Sequence, residues 1–304
     1  LAGKGVAMAG AGLLVLTPLI IGALLTVLNG AQLVPVLTFI LSYLIYIVVW
    51  CALVLLISTL ARSNSVSFSG LVAVWILLCL VVPRIASNTA SVMVASPGKL
   101  ETDFAVLKKL RQMGDGHNAN DPAFKAFKDN LLAQYNVDSV EDLPINFRGV
   151  VAQKSEADLT EVLNEFAEQQ MAQQQSQAVI ARMFGWLSPM IAIQNASMKL
   201  AGTDLENYQR FMREAEAVRF EFVQSLNKLH AEGMSLEQDA NKYKSAEAKK
   251  AATVDAENWQ MLEEFQFTPL PAGQRFFNSL TAVLQLLFAA GLVLAFTYIA
   301  GRRV

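Results

Sequence analysis

One stretch near the start of the chain constrains the fold most, because residues 5–61 contain no Asp, Glu, Lys, Arg or His. Lys4 and Arg62 flank this stretch. A bilayer core about 30 Å thick needs roughly 20 apolar residues of helix, so the stretch is long enough to cross a membrane twice. A core helix of a soluble protein would be far shorter. The sequence therefore predicts a membrane protein.

The apolar stretch has one place to turn, the sequence Asn-Gly-Ala-Gln at residues 29–32, followed by Pro35. Asn-Gly breaks regular structure readily, and proline is tolerated in the first turn of a helix. We therefore predict a helical hairpin over about residues 6–28 and 34–60.

Two further uncharged blocks predict a third membrane helix over about residues 65–83 and a fourth within residues 276–300. The fold class predicted is all-α, a polytopic transmembrane helix bundle with a mostly helical extracytoplasmic domain. The predicted organisation is three membrane helices in residues 1–83, the helical domain in residues 84–274, and the last membrane helix with a cytoplasmic tail in residues 275–304.

Charge predicts the topology. All 26 acidic residues of the chain lie in the region of residues 84–274, which is therefore acidic. The basic residues beside the spans are Lys4, Arg62, Arg275, Arg302 and Arg303. Lys and Arg near helix ends mark the cytoplasmic side, and four spans place all of these except Arg275 on one face. We expect a bacterial inner-membrane protein whose large domain is extracytoplasmic.

The large domain has helical apolar periodicity. An irregular connector is expected over residues 84–98, and Ser235 with Gln238 has the spacing of a capping box. The Gln-rich stretch 169–177 fits either a coiled-coil arm or a solvated helix that packs on one side. Predicted helices cover about residues 100–113, 122–135, 155–184, 204–231 and 235–264.

Several chemistries lack the residues they need. The predicted spans contain no ionisable residue, whereas proton-coupled carriers keep such residues at membrane depth. No phosphate-binding Gly-x-x-x-x-Gly-Lys-Ser/Thr loop is present, so this chain is expected to bind no cofactor and any ATP and Mg²⁺ would belong to a partner. Cys51 and Cys79 both fall within predicted spans, which leaves the exported domain without a disulfide framework.

The polar region offers no enzyme or metal signature. His117 and His230 have no recognisable catalytic constellation around them. Asp115 and Asp121 near His117 invite a metal site, but a solvated loop is the default for this turn-rich sequence, and we assign no metal site. The lysine cluster at residues 242–250 belongs to an acidic domain, so no nucleic-acid partner is expected.

A few residues are candidates for function. Ser42, Tyr43 and Tyr46 could line a transport pathway, and packing against neighbouring helices is the alternative. Trp186 and Met190 belong to an apolar segment, residues 186–193, that fits either an interfacial membrane-surface helix or core packing. On the cytoplasmic side, Lys4 and Arg62 would lie near an ATPase.

Part of the sequence resembles a known family. The residues that carry the resemblance are Ser188-Pro189, Ala201-Gly202-Thr203-Asp204, Phe211 and Ala215-Glu216-Ala217-Val218-Arg219, with Pro83-Arg84, Leu270-Pro271 and Ala2-Gly3-Lys4 in support. Together they resemble a bacterial subfamily of ABC-2-type permeases with a large exported insert before the last membrane helix. Relatives of that subfamily include permeases of copper-centre maturation and gliding-motility systems.

The resemblance implies a permease subunit that exports a substrate by alternating access. Its expected partners are cytoplasmic ABC ATPase subunits, a second permease chain, the lipid bilayer and a periplasmic protein. Such permeases have six membrane helices, so two would precede Leu1. The alternative is a non-transporting membrane scaffold or sensor whose helical ectodomain binds a periplasmic partner.

Overall fold

The computed structural model describes residues 2–114, 118, 121–253, 258 and 265–302, without the side chains of residues 2–9, 11, 99 and 251. The structure is 84% helical, and the described residues form no strand. The predicted all-α fold is therefore confirmed. The α-helices are α1 (Ala2–Leu28), α2 (Leu33–Leu60), α3 (Asn64–Ile76), α4 (Val82–Met93), α5 (Lys99–Gln112), α6 (Lys125–Tyr135), α7 (Phe147–Met183), α8 (Pro189–Ala201), α9 (Leu205–Gly233), α10 (Leu236–Asn241), α11 (Ala246–Ala251) and α12 (Ala272–Gly301).

The chain forms two compact units. Unit 1 comprises Leu1–Ala95, Gln173–Gln209 and Thr268–Val304, and unit 2 comprises Ser96–Ala172 and Arg210–Phe267. The long helices α7 and α9 therefore contribute residues to both units.

Three helices of unit 1 are long and apolar enough to span a membrane. They are α2, the continuous helix Asn64–Met93, and α12. The described apolar part of α1, Gly12–Leu28, is shorter, so the first of the four predicted spans stays a prediction. The predicted turn between α1 and α2 is present, with Gly30 at a φ of 89° that favours glycine.

Helices α2 and α12 run in the same direction. At one end, Arg275 Nη2 donates to Gln32 Oε1 at 2.7 Å, and some twenty residues later Thr297 Oγ1 donates to the Ala52 carbonyl at 3.2 Å. The segments that follow both helices, with Arg62 and Arg302, therefore lie toward the opposite end. Assignment of that end to the cytoplasm stays a prediction.

The third membrane helix does not end at Pro83 as predicted. A π-helical turn, Leu77–Val81, joins α3 to α4, and the helix continues to Met93. The Val82 N–H donates to the Leu77 carbonyl, five residues back. Pro83 occupies the first turn of α4, where a missing N–H is tolerated. The irregular connector predicted for residues 84–98 is therefore wrong over its first ten residues.

The core of unit 1 lies where α2, α8 and α12 meet. Buried alanine and branched aliphatic side chains from all three helices form one cluster, in which Val49, Ala192 and Leu286 have no exposed surface. Small side chains let the helix backbones approach closely, which replaces the hydrophobic driving force that lipid does not supply.

Unit 2 has its own small core, made by Phe124, Leu131, Phe147 and Val151. Helices α7 and α9 approach each other closely at Gly149, where a methyl group would lie 2.5 Å from the Cα atom of Ala231. The predicted capping box is confirmed, because Ser235 and Gln238 each bond the other's backbone N–H.

The single long helix predicted for residues 235–264 is wrong in its described part. Helix α10 ends at Asn241, and α11 begins after Ser245, whose hydroxyl accepts from the Ala248 N–H at 3.1 Å. Ser245 acts as a second N-cap, and this local hydrogen bond competes with continued helix. Of residues 254–264, only Asn258 lies within the described residues.

Candidate functional site

Helix α8 contains most of the apolar segment for which the sequence left two positions open, at the membrane surface or in the core. It packs between α2 and α12, and Ile191, Ala192, Ala196 and Leu200 are buried. Residues 188–193 of the segment therefore mostly pack in the helix-bundle core, whereas Trp186 and Leu187 are exposed, and a membrane-surface role for this start of the segment stays a prediction.

Ser188 connects the start of α8 to the third membrane helix. Its hydroxyl donates to the Leu78 carbonyl at 2.6 Å, and the same oxygen accepts from the Ile191 N–H at 3.4 Å. In the π-helical pattern the Leu78 carbonyl would accept from residue 83, but Pro83 has no N–H. Ser188, which is fully buried, supplies the missing donor.

A second polar contact joins the last turn of α7, shortly before α8, to α12. Gln285 is buried near the middle of α12, and its Nε2 donates to the Arg182 carbonyl at 3.1 Å. Gly185 permits this approach, because a methyl group there would lie 2.7 Å from Gln285 Cδ. A rise of 1.5 Å per residue puts Gln285 about 15 Å along α12 from Arg275.

A cluster of charges follows at the junction of α7, α8 and α9. The Arg182 guanidinium donates to both carboxylate oxygens of Glu206, at 2.5 and 3.0 Å, and Lys199 Nζ lies 3.6 Å from the same carboxylate. Burial favours the neutral acid, but hydrogen bonds to Arg182 and Asp204 outweigh it and lower the pKa of Glu206 to about 2. Glu206 is therefore ionised at any ordinary pH.

This ion pair predicts a pH dependence. A depressed pKa in the folded state contributes stability above the unfolded value of about 4.3, and the contribution disappears as pH falls toward 2. Glu206→Gln is expected to lower the free energy of unfolding by roughly 1 kcal/mol at neutral pH, after allowance for solvent screening. The difference from wild type, measured by thermal unfolding, should shrink between pH 4.5 and 2. Exposed Glu161→Gln is the control, and a difference that does not vary with pH would contradict the pKa assignment.

The Ala-Gly-Thr-Asp block makes the turn between α8 and α9. Gly202 ends α8 with a φ of 73°, and the Thr203 N–H donates to the Met198 carbonyl at 2.9 Å. Asp204 begins α9 by accepting from the Asn207 N–H at 3.0 Å. The block that carries the family resemblance therefore has a structural role, which is to fix the angle between two helices.

The same turn lies beside Arg275, at the start of α12. Arg275 Nη1 donates to the Leu200 carbonyl at 3.0 Å, while Nη2 reaches Gln32. Its Nε is buried without a hydrogen-bond partner. The one basic residue that departs from the predicted charge asymmetry thus ties α8, α12 and the α1–α2 turn together.

The predicted pathway residues do not act as one group. Ser42 is buried and donates to the Thr38 carbonyl of its own helix at 2.7 Å. Tyr43 and Tyr46 both face α8: the Tyr43 hydroxyl accepts from Ser197 at 3.4 Å, and the Tyr46 hydroxyl donates to the Met190 sulfur at 3.7 Å. These contacts fit the packing alternative. A role in lining a pathway stays a prediction.

Trp186 and Met190, four residues apart, do not belong to one helix, so they share no helical face. Trp186 ends a short 3₁₀ turn, whereas Met190 lies in α8, and Ser188 begins a new helix between them. Trp186 packs edge-on against Phe288 of α12, with ring centroids 5.5 Å apart.

Of the two residues predicted to lie near an ATPase, the structure describes the side chain of one. Arg62 is exposed just after α2 ends. The side chain of Lys4 lies outside the described residues.

Three glutamines of the Gln-rich stretch of α7 form hydrogen bonds with specific partners in unit 1. Gln175 Nε2 donates to Gln209 Oε1 at 2.9 Å, Gln209 Nε2 donates to Gln174 Oε1 at 3.2 Å, and Gln177 reaches the Val94 carbonyl at 2.8 Å. Gln209 is buried. This part of α7 is a packed helix and not a free arm.

Unit 2 contains a buried carboxylate with three basic neighbours. Asp239 is 1% exposed and lies 2.7 Å from Lys242 Nζ, 3.3 Å from His230 Nε2 and 3.5 Å from Arg148 Nη1. Burial favours the neutral acid, yet the hydrogen bond from Lys242 and the charges around it lower the pKa of Asp239 below its usual value. A cavity of about 810 Å³ lies next to this cluster, between the 140–148 and 232–240 segments.

Arg219 is the last residue of the block 215–219 that carries part of the family resemblance, and it joins helices α7 and α9 of unit 2. Its guanidinium donates to Glu216 at 2.7 and 2.8 Å and to Glu156 of α7 at 2.8 Å. These two carboxylates raise the pKa of Arg219, Glu216 most strongly. The geometry gives Arg219 a role in packing α9 against α7.

The residues considered for a metal site fall into two groups. Asp115 and His117 lie outside the described residues, and Asp121 accepts from the Ala123 N–H at 2.9 Å as a helix cap. Among the described residues, no group of three His, Cys, Asp or Glu could hold a metal ion.

The comparison with protein families identifies the polar part of the chain. A family model described as a domain of unknown function (DUF3526) matches residues 99–268, more than half of the 304 residues. The chain belongs to the DUF3526 family. The matched region contains all of unit 2 except its first three residues, together with helix α8 and the Gly202–Asp204 turn. No curated protein matches the chain, and no solved structure matches it either.

Proposed function

We propose that this chain is the membrane subunit of an ABC transporter that exports a substrate from the bacterial cytoplasm by alternating access. ATP and Mg²⁺ are bound by separate cytoplasmic ATPase subunits, and two permease chains form the pathway. The large helical region is extracytoplasmic, where it contacts a periplasmic partner.

The absence of charge from the apolar runs carries the proposal. Residues 5–61, 63–83 and 276–301 contain no Asp, Glu, Lys, Arg or His, and Arg84 and Arg275 lie just outside these runs, within the longer helices. Apolar runs of this kind offer no carboxylate, imidazole, ammonium or guanidinium group to couple to protons or to the membrane potential. The energy of a transporter built this way must come from a partner.

The way in which α8 docks supports a moving bundle. Hydroxyl and thioether groups hold its start to the third membrane helix and to α2, and apolar packing holds it to α12, while its ion pair, Lys199 with Glu206, lies at its C-terminal end. Hydrogen bonds of this kind contribute about 1 kcal/mol each, so a rocking helix can exchange them at small cost.

Co-purification tests the proposal. The chain, expressed with an ABC ATPase from the same bacterium, is expected to retain that ATPase in mild detergent and to support ATP-dependent transport in inverted vesicles. Arg62→Glu reverses a charge on the side predicted to meet the ATPase, so the retained ATPase should fall by about tenfold, equivalent to about 1.4 kcal/mol. Exposed Arg111→Glu in unit 2 is the control.

One observation favours the scaffold alternative. The cavity of about 810 Å³ in unit 2 could receive part of a periplasmic protein without any transport. A chain that binds no ATPase but captures a periplasmic protein through unit 2 would support the scaffold and overturn the transporter.

A further inference from the structure

A groove of about 460 Å³ lies in unit 1, and Arg275 forms part of its lining. This size falls within the range of ligand sites, roughly 300–1,000 Å³. Its walls are almost wholly apolar and come from three helices, α1, α2 and α8. The lining residues that matter are Leu19, Gly22, Ala23, Pro35, Phe39 and Leu200.

Arg275 is the cation at the top of this groove. Both described partners of its guanidinium are neutral, the Leu200 carbonyl and the Gln32 amide oxygen, and its Nε is buried without a partner. Within the described ranges, no carboxylate forms an ion pair with Arg275. The end of α8 offers at most about half a negative charge through its helix dipole. The half-buried guanidinium beside the apolar groove therefore has no described carboxylate as a counter-ion, and an anion placed against it would gain charge-assisted hydrogen bonds.

The surroundings of the groove are also apolar. Leu24 and Leu25 of α1 are more than half exposed, and so are Leu33 and Leu37 of α2. The ligand that satisfies both parts of the site is an amphiphile with an anionic head and a hydrocarbon tail. The bilayer around these helices supplies such molecules in quantity.

We propose that this groove binds one anionic phospholipid, with the phosphate at Arg275 and an acyl chain between α1 and α2. The phosphate pairs with the guanidinium of Arg275 and neutralises it, as arginine–phosphate pairs commonly do. The acyl chain covers the apolar wall, each buried CH₂ group adding to the affinity. The site does not depend on transport, since it could equally hold a structural lipid.

A substitution at Gly22 can block binding of the acyl chain without changing Arg275. A methyl group added at Gly22 would meet nothing within 4 Å, so a leucine there begins in open space and is expected to occupy part of the groove that Gly22 lines. Gly10, on the same helix but outside the groove lining, is equally unobstructed. Gly22→Leu and Gly10→Leu are therefore a matched pair in composition and helix propensity.

Native mass spectrometry of the delipidated full chain, titrated with phosphatidylglycerol or phosphatidylcholine of the same acyl chains, tests the site. Wild type and Gly10→Leu are expected to bind one phosphatidylglycerol at least tenfold more tightly than phosphatidylcholine. Gly22→Leu should bind at least tenfold more weakly. Arg275→Gln should lose the preference for the anionic lipid, whereas Arg302→Gln, at the other end of α12, should keep it.

Three results would overturn the proposal. One is equal binding of the two lipids by wild type, and another is unchanged phosphatidylglycerol affinity in Gly22→Leu. The third is a wild-type dimer that Gly22→Leu converts to monomer without any lipid effect, which would assign the groove to a second copy of the chain. Because Gly22→Leu leaves the contacts of Arg275 intact, the test survives if Arg275→Gln fails to fold.

Discussion

Replacing Gly149 with alanine is expected to lower the free energy of unfolding of unit 2 by about 3 kcal/mol, at the upper end for an overpacked core. The added methyl group would lie 2.5 Å from the Cα atom of Ala231 and 2.9 Å from its Cβ, and backbone cannot rotate aside as a long side chain can. Helices α7 and α9 would have to separate. Thermal unfolding in detergent, followed by circular dichroism, measures the loss.

Gly233→Ala is the control for that experiment. Gly233 lies at the end of α9, in the same unit, and a methyl group there meets nothing within 4 Å. Because alanine has the higher helix propensity, Gly233→Ala should be neutral or stabilise by up to about 1 kcal/mol. Equal unfolding temperatures for the two variants would show that the close approach at Gly149 is wrong.

Ser188→Ala is expected to destabilise the membrane bundle by about 2 kcal/mol. The change removes the cap of α8 and leaves the Leu78 carbonyl, already without a helical donor, buried and unsatisfied. The destabilisation should appear as a lower midpoint of unfolding in denaturing detergent. Ser197→Ala is the comparison, because the Ser197 hydroxyl bonds the Ile193 carbonyl of its own helix at 2.7 Å and makes only a long contact of 3.4 Å to Tyr43, so its loss should cost less.

A second substitution tests the cause. Pro83→Ala restores an N–H at the position from which the Leu78 carbonyl would accept in the π-helical pattern. In a Pro83→Ala background, Ser188→Ala should therefore cost about 1 kcal/mol less than in wild type, which a double-mutant cycle measures as a coupling energy. Strict additivity of the two changes would mean that Ser188 does not compensate for the proline.

The sequence predicted the membrane helices well because their signal is a long uncharged run, which needs no knowledge of tertiary partners. Helices α2 and α12 match their predicted bounds within a few residues. The end of the third helix was missed at Pro83, since a proline normally predicts a stop and a single π-helical turn leaves no local sequence signature. Ser245 was missed because its cap lies inside an otherwise helical pattern.

The candidate site was only partly predictable. The spacing of Tyr43 and Tyr46 indicated one shared face, and both side chains do meet α8. Nothing in the spacing showed that the helix they meet comes from a distant polar region. Arg275 was visible as an exception to the charge asymmetry, but its neutral partners lie at Gln32 and Leu200, far away in sequence.

The π-helical turn at Leu77–Val81 also determines which side of α4, the helix that follows it, faces the neighbouring helices. It holds one residue more than an α-helical turn would, and one residue corresponds to about 100° around a helix axis. The buried side of α4, marked by Ala86 and Ala90, is therefore turned by that angle from where an uninterrupted helix would carry it. A one-residue deletion here would keep the segment helical and apolar, yet present a different side of α4 to its neighbours.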